Sequence, residues 1–219
     1  SDWNLSCHST HAIHMSVSGP TTFKNFELSQ FQREAAIALE TNHNVLVAAP
    51  TGAGKTLVAE YAIHLATKKN QRSLYTAPIK ALSNQKFRDF SADKNIPSVG
   101  LSTGDISLQS NAQVLVMTTE ILRNTLIENP SSLNDVGVVV FDEVHFMDDP
   151  DRGSVWEETL MFLPPEVVVV ALSATIAKLS GVWNEILPKI SHFILAVPPI
   201  ILLTKNLNKK MSLFIFIVL

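Results

Sequence analysis

The stretch from Val45 to Thr56, VLVAAPTGAGKT, limits what this chain can fold into more than any other. Val45, Leu46, Val47 and Ala48 form an unbroken apolar run, the pattern of a strand buried on both faces. The run enters a loop made of Ala49, Pro50, Thr51, Gly52, Ala53 and Gly54. Lys55-Thr56 then opens a segment in which Leu57, Val58, Tyr61, Ala62 and Leu65 recur at helical spacing. Strand, glycine loop, Lys-Thr and helix, in that order, make the setting that a phosphate-binding loop requires. The glycines let backbone N–H groups turn inward around an anion. The helix start adds unpaired donors and the positive end of its dipole. Lys55 would reach the β- and γ-phosphates of a nucleotide, and the Thr56 hydroxyl would bind Mg2+. Ala49 stands where the common octet has glycine. An ordinary glycine-rich turn is the plainer reading, but it gives no reason for GKT between a strand and a helix. The expectation is a nucleotide-binding protein.

At 219 residues the chain can bury one sizeable core. Its 46% hydrophobic and 17% charged residues suit a globular protein that leans apolar. The net charge of −3 sets up no overall basic field. The distribution of charge is more telling. Lys68, Lys69, Arg72, Lys80, Lys86 and Arg88 fall between Tyr61 and Arg88, a span with no Asp or Glu. Between Asp135 and Glu158 eight acids face Arg152 alone. Two solvated helix faces would produce the same segregation. Beside a phosphate loop, it suits an enzyme that grips a polyanion with one face and a Mg-nucleotide with the other.

Cys7 is the only cysteine, so no disulfide can form within the chain and a reducing, intracellular compartment is expected. The longest apolar runs are Phe193–Leu203, broken by Pro198-Pro199, and Leu213–Leu219. Neither approaches the ~20 residues that cross a bilayer, so no membrane partner is expected. The chain starts at Ser1, which leaves room for a removed targeting segment.

Residues 1–22 are polar and aperiodic and read as a flexible leader. Cys7, His8, His11 and His14 lie close together there, but Gly19-Pro20 follows and no second cluster exists, so they read as incidental rather than as a zinc site. Ser29 and Gln32 fit a capping box ahead of Phe31, Ala35, Ile37, Ala38 and Leu39 in helical order. Downstream, strands are expected at Ser73–Ala77, Val99–Leu101, Val114–Met117, Val136–Phe141 and Val167–Leu172. Helices are expected at Ile79–Phe90, Ile121–Ile127 and Trp156–Leu163. Unbroken Val/Leu strands separated by helices imply a parallel sheet covered on both faces. The fold class is α/β, doubly wound, with ligands expected at the carboxyl ends of the strands.

VVVFDEVH, Val138 to His145, is the second chemical centre. Asp142 follows a buried strand, where an enzyme with a phosphate loop puts the carboxylate that holds Mg2+. Glu143 beside it is placed to orient and polarise an attacking water. An Asp-Glu pair after an apolar strand is often just a solvated strand end. The GKT loop upstream gives it its meaning.

Asp142-Glu143-Val144-His145 resembles the DExH box of superfamily 2 helicases. TAPIKALSNQKFRDF (Thr76–Phe90), STGD (Ser102–Asp105), MTTEILRN (Met117–Asn124), RGSVWEE (Arg152–Glu158) and LSATIA (Leu172–Ala177) are similar to one branch of it. That branch is the superkiller-like RNA helicases, with the exosome-cofactor helicases, bacterial relatives and a chloroplast member. The resemblance covers about residues 26–177. It implies a RecA-like P-loop NTPase domain, residues 23–177, that uses ATP with Mg2+ and binds single-stranded RNA or a 3′-tailed duplex. By the same resemblance Gln32 reads the adenine edge, a role that can coexist with its capping box. Pro78, Lys80, Ser83 and Asn84 match the first strand-contacting motif. Gly104-Asp105 and Thr118-Thr119 match the next two, where backbone amides and hydroxyls touch phosphates; turn and N-cap chemistry is the plainer reading of these. His145, Ser173 and Thr175 resemble the groups that couple nucleotide state to strand grip. The branch also implies an RNA-decay or processing complex as partner, and the cytoplasm, nucleus or a chloroplast as location.

The resemblance stops near Ala177. Lys178–Leu219 is rich in Ile, Leu, Phe, Lys and Asn, has Glu185 as its one acid and carries no arginine-finger motif. It reads as an atypical tail, of the kind a retained intron, a shifted frame or a truncated gene model produces. Its LFIFIVL run, if exposed, is an aggregation hazard. Family members hydrolyse ATP between two motor domains. The expectation for this chain is therefore an RNA helicase motor with weak turnover of its own. A DNA helicase of the neighbouring repair branch, or a non-catalytic ATP- and RNA-binding module, are the alternatives.

Overall fold

The valine and leucine runs become the strands of one sheet, and the amphipathic segments between them become its covering helices. The computed structural model describes residues 19–144, 153–174 and 214–218. A short hairpin comes first, β1 (Thr22–Phe23) and β2 (Phe26–Glu27), followed by α1 (Gln30–Glu40), β3 (Asn44–Ala48) and α2 (Lys55–Lys68). Next come β4 (Arg72–Ala77), α3 (Lys80–Ala92), the β5–β6 hairpin (Val99–Thr103, Ile106–Leu108), β7 (Val114–Thr118) and α4 (Thr119–Glu128). After a 3-10 turn at Pro130–Leu133 come β8 (Val136–Phe141), α5 (Gly153–Phe162), β9 (Val168–Ser173) and β10 (Phe214–Val218).

The larger sheet has the order β10-β3-β9-β8-β4-β7-β5-β6. Every neighbouring pair is parallel except β5 and β6. Side chains alternate across it as a pleated strand requires. Val45, Val47, Val138, Val140 and Val170 point into a core shared with α1, α2 and α3. Leu46, Leu74, Val139, Phe141 and Val169 point into a second core with Leu122, Leu126 and Trp156 of α4 and α5. Phe141 and Trp156 meet edge to face there, with ring centroids 6.2 Å apart. The expected doubly wound α/β sheet is therefore present. Alanines 35, 36, 38, 59, 62 and 66 are all buried, so α1 and α2 carry little side-chain bulk between them. Among the described residues no helix is long and apolar enough to cross a membrane, and no cluster of three metal-binding side chains occurs. The Cys7/His cluster lies outside the described residues.

Besides β6 and the 3-10 turn, neither of which was expected, two elements differ from the sequence expectations. The first is the β1–β2 hairpin, whose Lys24 and Asn25 have φ of +49° and +65°. Both turn residues lie in the left-handed region that a tight two-residue hairpin demands. Lys24 reaches out of that turn to Glu60 of α2 at 2.9 Å and to Asp93 at the end of α3. One ammonium thus ties the entrance of α1 to two helices on the same face of the sheet. The second is the tail. Phe214–Val218, instead of standing free, pairs parallel with β3, Phe214 opposite Asn44 and Val218 opposite Ala48. A β-prone run and an otherwise open strand edge satisfy each other's backbone groups.

The Lys24 cluster is half-buried, and its charges respond to that. Burial pulls Lys24 down, but hydrogen bonds and charge from Asp93 and Glu60 outweigh it and hold the ammonium above its usual 10.5. Burial pushes Asp93 up, but the hydrogen bond from Lys24, with others from Asn95, holds it below its usual 3.8. A raised lysine contributes stability that is lost as pH climbs through its folded value. A depressed carboxyl contributes stability that is lost as pH falls through its folded value. Lys24→Met should therefore lower Tm at neutral pH by about 2–4 °C, the equivalent of about 1 kcal/mol for a part-exposed cluster. The gap should close as the pH falls below 3.8 and Asp93 takes up its proton. Thermal melts of the two proteins across pH check this; a gap that persists in acid would mean that Lys24 acts by packing.

Candidate functional site

Parallel strands bring their carboxyl ends to one edge, and the sequence motifs follow those ends. Ala49 continues from β3, and its N–H donates to Ser173 O of β9 at 3.1 Å. The loop then turns through Gly52 and Gly54, with φ of +86° and +87°. A Cβ on Gly54 would come within 2.6 Å of Gln32 Nε2, the movable end of a side chain, so it is the left-handed φ that calls for glycine there. Nothing lies within 4 Å of the corresponding point on Gly52. Lys55 opens α2 and folds back, donating to Ala49 O and to Pro50 O, the latter at 3.0 Å. Its side chain is buried, and no carboxylate among the described residues pairs with it. A buried ammonium held by carbonyls alone, at the start of a helix, is a seat for an anion. Thr51 is exposed on the loop, and Ala53 and Thr56 are half-buried.

Gln32 takes part in two contacts at once. Its Oε1 accepts the Ser29 N–H at 2.9 Å, which caps α1, while its Nε2 donates to Gly54 O at 3.1 Å. The capping-box reading is thus realised, and the same amide grips the phosphate loop.

Asp142 and Glu143 follow β8, two strands from the loop strand, with β9 and Ser173 between them. The Asp142 N–H donates to Thr76 O at 2.9 Å, continuing the β4–β8 ladder past its end. The Asp142 side chain accepts the Glu143 N–H on Oδ1 at 2.9 Å and the Tyr75 hydroxyl on Oδ2. Glu143 has φ of +52°, a left-handed conformation uncommon outside glycine. Tyr75 was not among the residues singled out by sequence. A phenol in the middle of a buried strand must find a partner. SLYTA shows that need but not where it is met. Burial, then the charge of Asp142, pushes the phenol well above its usual 10.0, so it stays protonated and donates to Asp142. The oxygen donors of Asp142 and Thr56 are the hard kind that Mg2+ prefers, and the uncompensated Lys55 charge suits its nucleotide polyanion. These residues fit the Mg-nucleotide that the loop implies. His145 and Thr175 lie outside the described residues.

The other half of the edge carries the residues matched to strand contact. Pro78 follows the end of β4, and Lys80 begins α3 behind Ile79, which occupies the N-cap without a side-chain cap. Lys80 is exposed and pairs with Asp105 in the β5–β6 turn, beside Gly104. Asn84 is half-buried on the next turn of α3. Thr118 occupies the N-cap of α4, also without a side-chain cap. The ends of β4, β7 and β5 are adjacent, so these groups share one surface. Two hydroxyls turn away from it. Ser83 is fully buried and donates to Met117 O at 3.3 Å, fastening α3 to β7. The Thr119 hydroxyl is buried too. These two hydroxyls are therefore not presented to that surface.

The DEAD/DEAH box helicase family matches residues 29–181. This chain belongs to that family. The chain is 53% identical over 162 residues to Probable helicase HelY of Mycobacterium tuberculosis, covering 73% of this chain and 18% of that one. It is 53% identical over 151 residues to Superkiller complex protein 2 of Homo sapiens, covering 69% and 12%. It is 52% identical over 151 residues to DExH-box ATP-dependent RNA helicase DExH11 of Arabidopsis thaliana, covering 69% and 11%. Among solved structures it is similar to the Pyrococcus furiosus Hef helicase domain, with 27% identity, a TM-score of 0.52, and coverage of 69% and 35%. The superkiller-like resemblance and the RecA-like fold therefore stand, and the chain carries a helicase motor domain. It spans less than a fifth of the length of the curated relatives it matches.

The geometry makes Lys55 the first residue to test. Lys55→Ala removes a charged contact to phosphate and leaves two carbonyls without their donor. Affinity for Mg-ADP should fall about tenfold or more, with the far-UV spectrum unchanged. Titration calorimetry checks it, and equal affinity in the variant would sink the phosphate-loop assignment.

Proposed function

We propose that the chain is the first motor domain of an ATP-dependent RNA helicase, serving RNA unwinding in decay or processing. The supporting observation is the division of one sheet edge. The lysine loop, Ser173 and Asp142-Glu143 share the ends of β3, β9 and β8. The residues matched to strand contact share the neighbouring ends of β4, β7 and β5. One half can hold a nucleotide while the other holds a nucleic-acid backbone, and the same strands connect them. Relatives of about 50% identity named for the superkiller complex and as an RNA helicase favour RNA over DNA as the strand.

In this reading Lys55 and amides of its glycine loop hold the β- and γ-phosphates, Gln32 reads the base, and Thr56 with Asp142 holds Mg2+. The metal, when bound, neutralises charge on the phosphates. Glu143 orients and polarises the attacking water. Pro78, Lys80, Ser83, Asn84, Gly104, Asp105, Thr118 and Thr119 line or brace the strand surface, whose contacts position the backbone without reading sequence. His145, Ser173 and Thr175 couple the halves. Residues 23–177 are the motor, preceded by a leader and followed by an appended tail. An RNA-decay complex inside the cell, in cytoplasm, nucleus or an organelle, is the proposed setting. Unwinding assays on matched RNA and DNA duplexes, with the motor domain in a full-length relative, test the reading; preference for DNA would overturn it.

Two outcomes are expected of this site. Glu143→Gln keeps the shape of the side chain but removes its charge. With a second motor domain supplied, RNA-stimulated turnover should fall about 10²–10⁴-fold, while ATP binding stays. The 219-residue chain alone should show turnover near background with either residue, and robust turnover of the wild type alone would show the site to be self-sufficient. Asp105→Asn acts in the opposite direction. It frees Lys80 from its partner, so single-stranded RNA should bind more tightly, with a log–log salt slope steeper by about 0.7. Fluorescence anisotropy across salt concentrations checks this, and an unchanged slope would mean that Lys80 does not meet a phosphate.

A further inference from the structure

Tyr75 is fully buried in β4, edge-on to Phe90 with centroids 5.0 Å apart and planes at 75°. Its hydroxyl meets Asp142 Oδ2, and the Glu143 N–H meets Oδ1 at 2.9 Å. Both donors are set by the backbone framework. Tyr75 sits opposite Val140 in the β4–β8 register, and Asp142 itself is bonded through its N–H to Thr76 O. A carboxylate offers about four lone-pair sites, so two remain beyond those the described residues take. A ligand already fixed in one rotamer loses little entropy when it binds.

We infer that Tyr75 is a positioning residue for the metal-facing carboxylate, its phenol O–H holding Asp142 in the orientation from which it meets the Mg2+ of a bound nucleotide. The inference rests on the nucleotide reading above. A phenol that merely satisfies its own hydroxyl would stabilise the core and leave metal binding untouched. A positioning phenol stabilises the metal complex in particular. Outer groups that orient a ligand typically change metal affinity about 10–100-fold when removed.

Titration calorimetry on the full chain with ADP, once in EDTA and once in excess Mg2+, separates the two roles. The ratio of the two affinities is the metal's increment. Tyr75→Phe removes one oxygen and leaves the ring against Phe90. Its affinity for metal-free ADP should stay within about twofold, while the increment falls about tenfold or more. In an Asp142→Asn background, Tyr75→Phe should change the increment no further. Phe90→Leu, which loosens the ring's packing but keeps the hydroxyl, should lower Tm and leave the increment intact. A full increment in Tyr75→Phe overturns the inference alone. Equal losses with and without Mg2+, or a lost increment in Phe90→Leu, reduce Tyr75 to a packing residue. A wild type that gains nothing from Mg2+ overturns this inference and the nucleotide reading together.

Discussion

Parallel pairing of β3, β9 and β8 is the constraint on which everything else in the structure depends. The register that sets Ala48 beside Ser173 also sets Ala171 beside Phe141. The lysine loop, the serine that ends β9 and the acidic pair that follows β8 are therefore brought level by backbone hydrogen bonds alone. No side chain has to reach far. Asn44 reinforces the arrangement from the opposite end, accepting the Val169 N–H on Oδ1 at 2.8 Å. A one-residue slip in that pairing would reverse the faces of every valine and shift the carboxylates by a strand step.

Charge in the site is managed by backbone more than by opposite charge. Lys55 rests on carbonyls. Asp142 rests on an amide and a phenol. Neither is neutralised by the other, although a buried lysine and a carboxylate in one cleft could have paired. Such a pair would be a stable resting state that a ligand must break. Weak dipolar partners hold both groups in place and leave their net charge for a phosphate and a metal. The strand surface follows the other strategy, with Lys80 paired to Asp105 in the open, where such a pair is cheap to break.

Much of this was legible in the sequence, and the reasons are physical. Strands covered on both faces must be apolar throughout, so β8 was bounded correctly and β3, β4, β7 and β9 within a residue. GKT needs its glycines wherever it occurs. What escaped is what depends on partners distant in sequence. Ser83 reads as a polar contact residue, yet the adjacency of α3 and β7 turns its hydroxyl to Met117 O. Tyr75 reads as one more apolar strand residue until β8 lies alongside. The β1–β2 hairpin could have been found, since Phe23-Lys24-Asn25-Phe26 alternates around a turn pair with an asparagine suited to positive φ. The pairing of Phe214–Val218 with β3 could not, because a β-prone run does not say which edge it will join.

The place of β3 in the sheet has a consequence for how the chain is made. Its ladder to β9 joins residues 125 positions apart, and its other neighbour begins only at Phe214. The strand that leads into the lysine loop therefore emerges from the ribosome long before either of its flanks. While β4, β5 and β7 can assemble from segments close in sequence, β3 must wait beside α1 and α2 with both ladders unmade. Non-local parallel pairing is slow, and an unpaired apolar strand is what folding intermediates aggregate through. The alanine-rich contact of α1 with α2, tethered by the Lys24 turn to α2 and α3, can form locally and early. It would shelter one face of β3 during that interval, giving the small hairpin at the front of the domain a part in synthesis as well as in the finished fold.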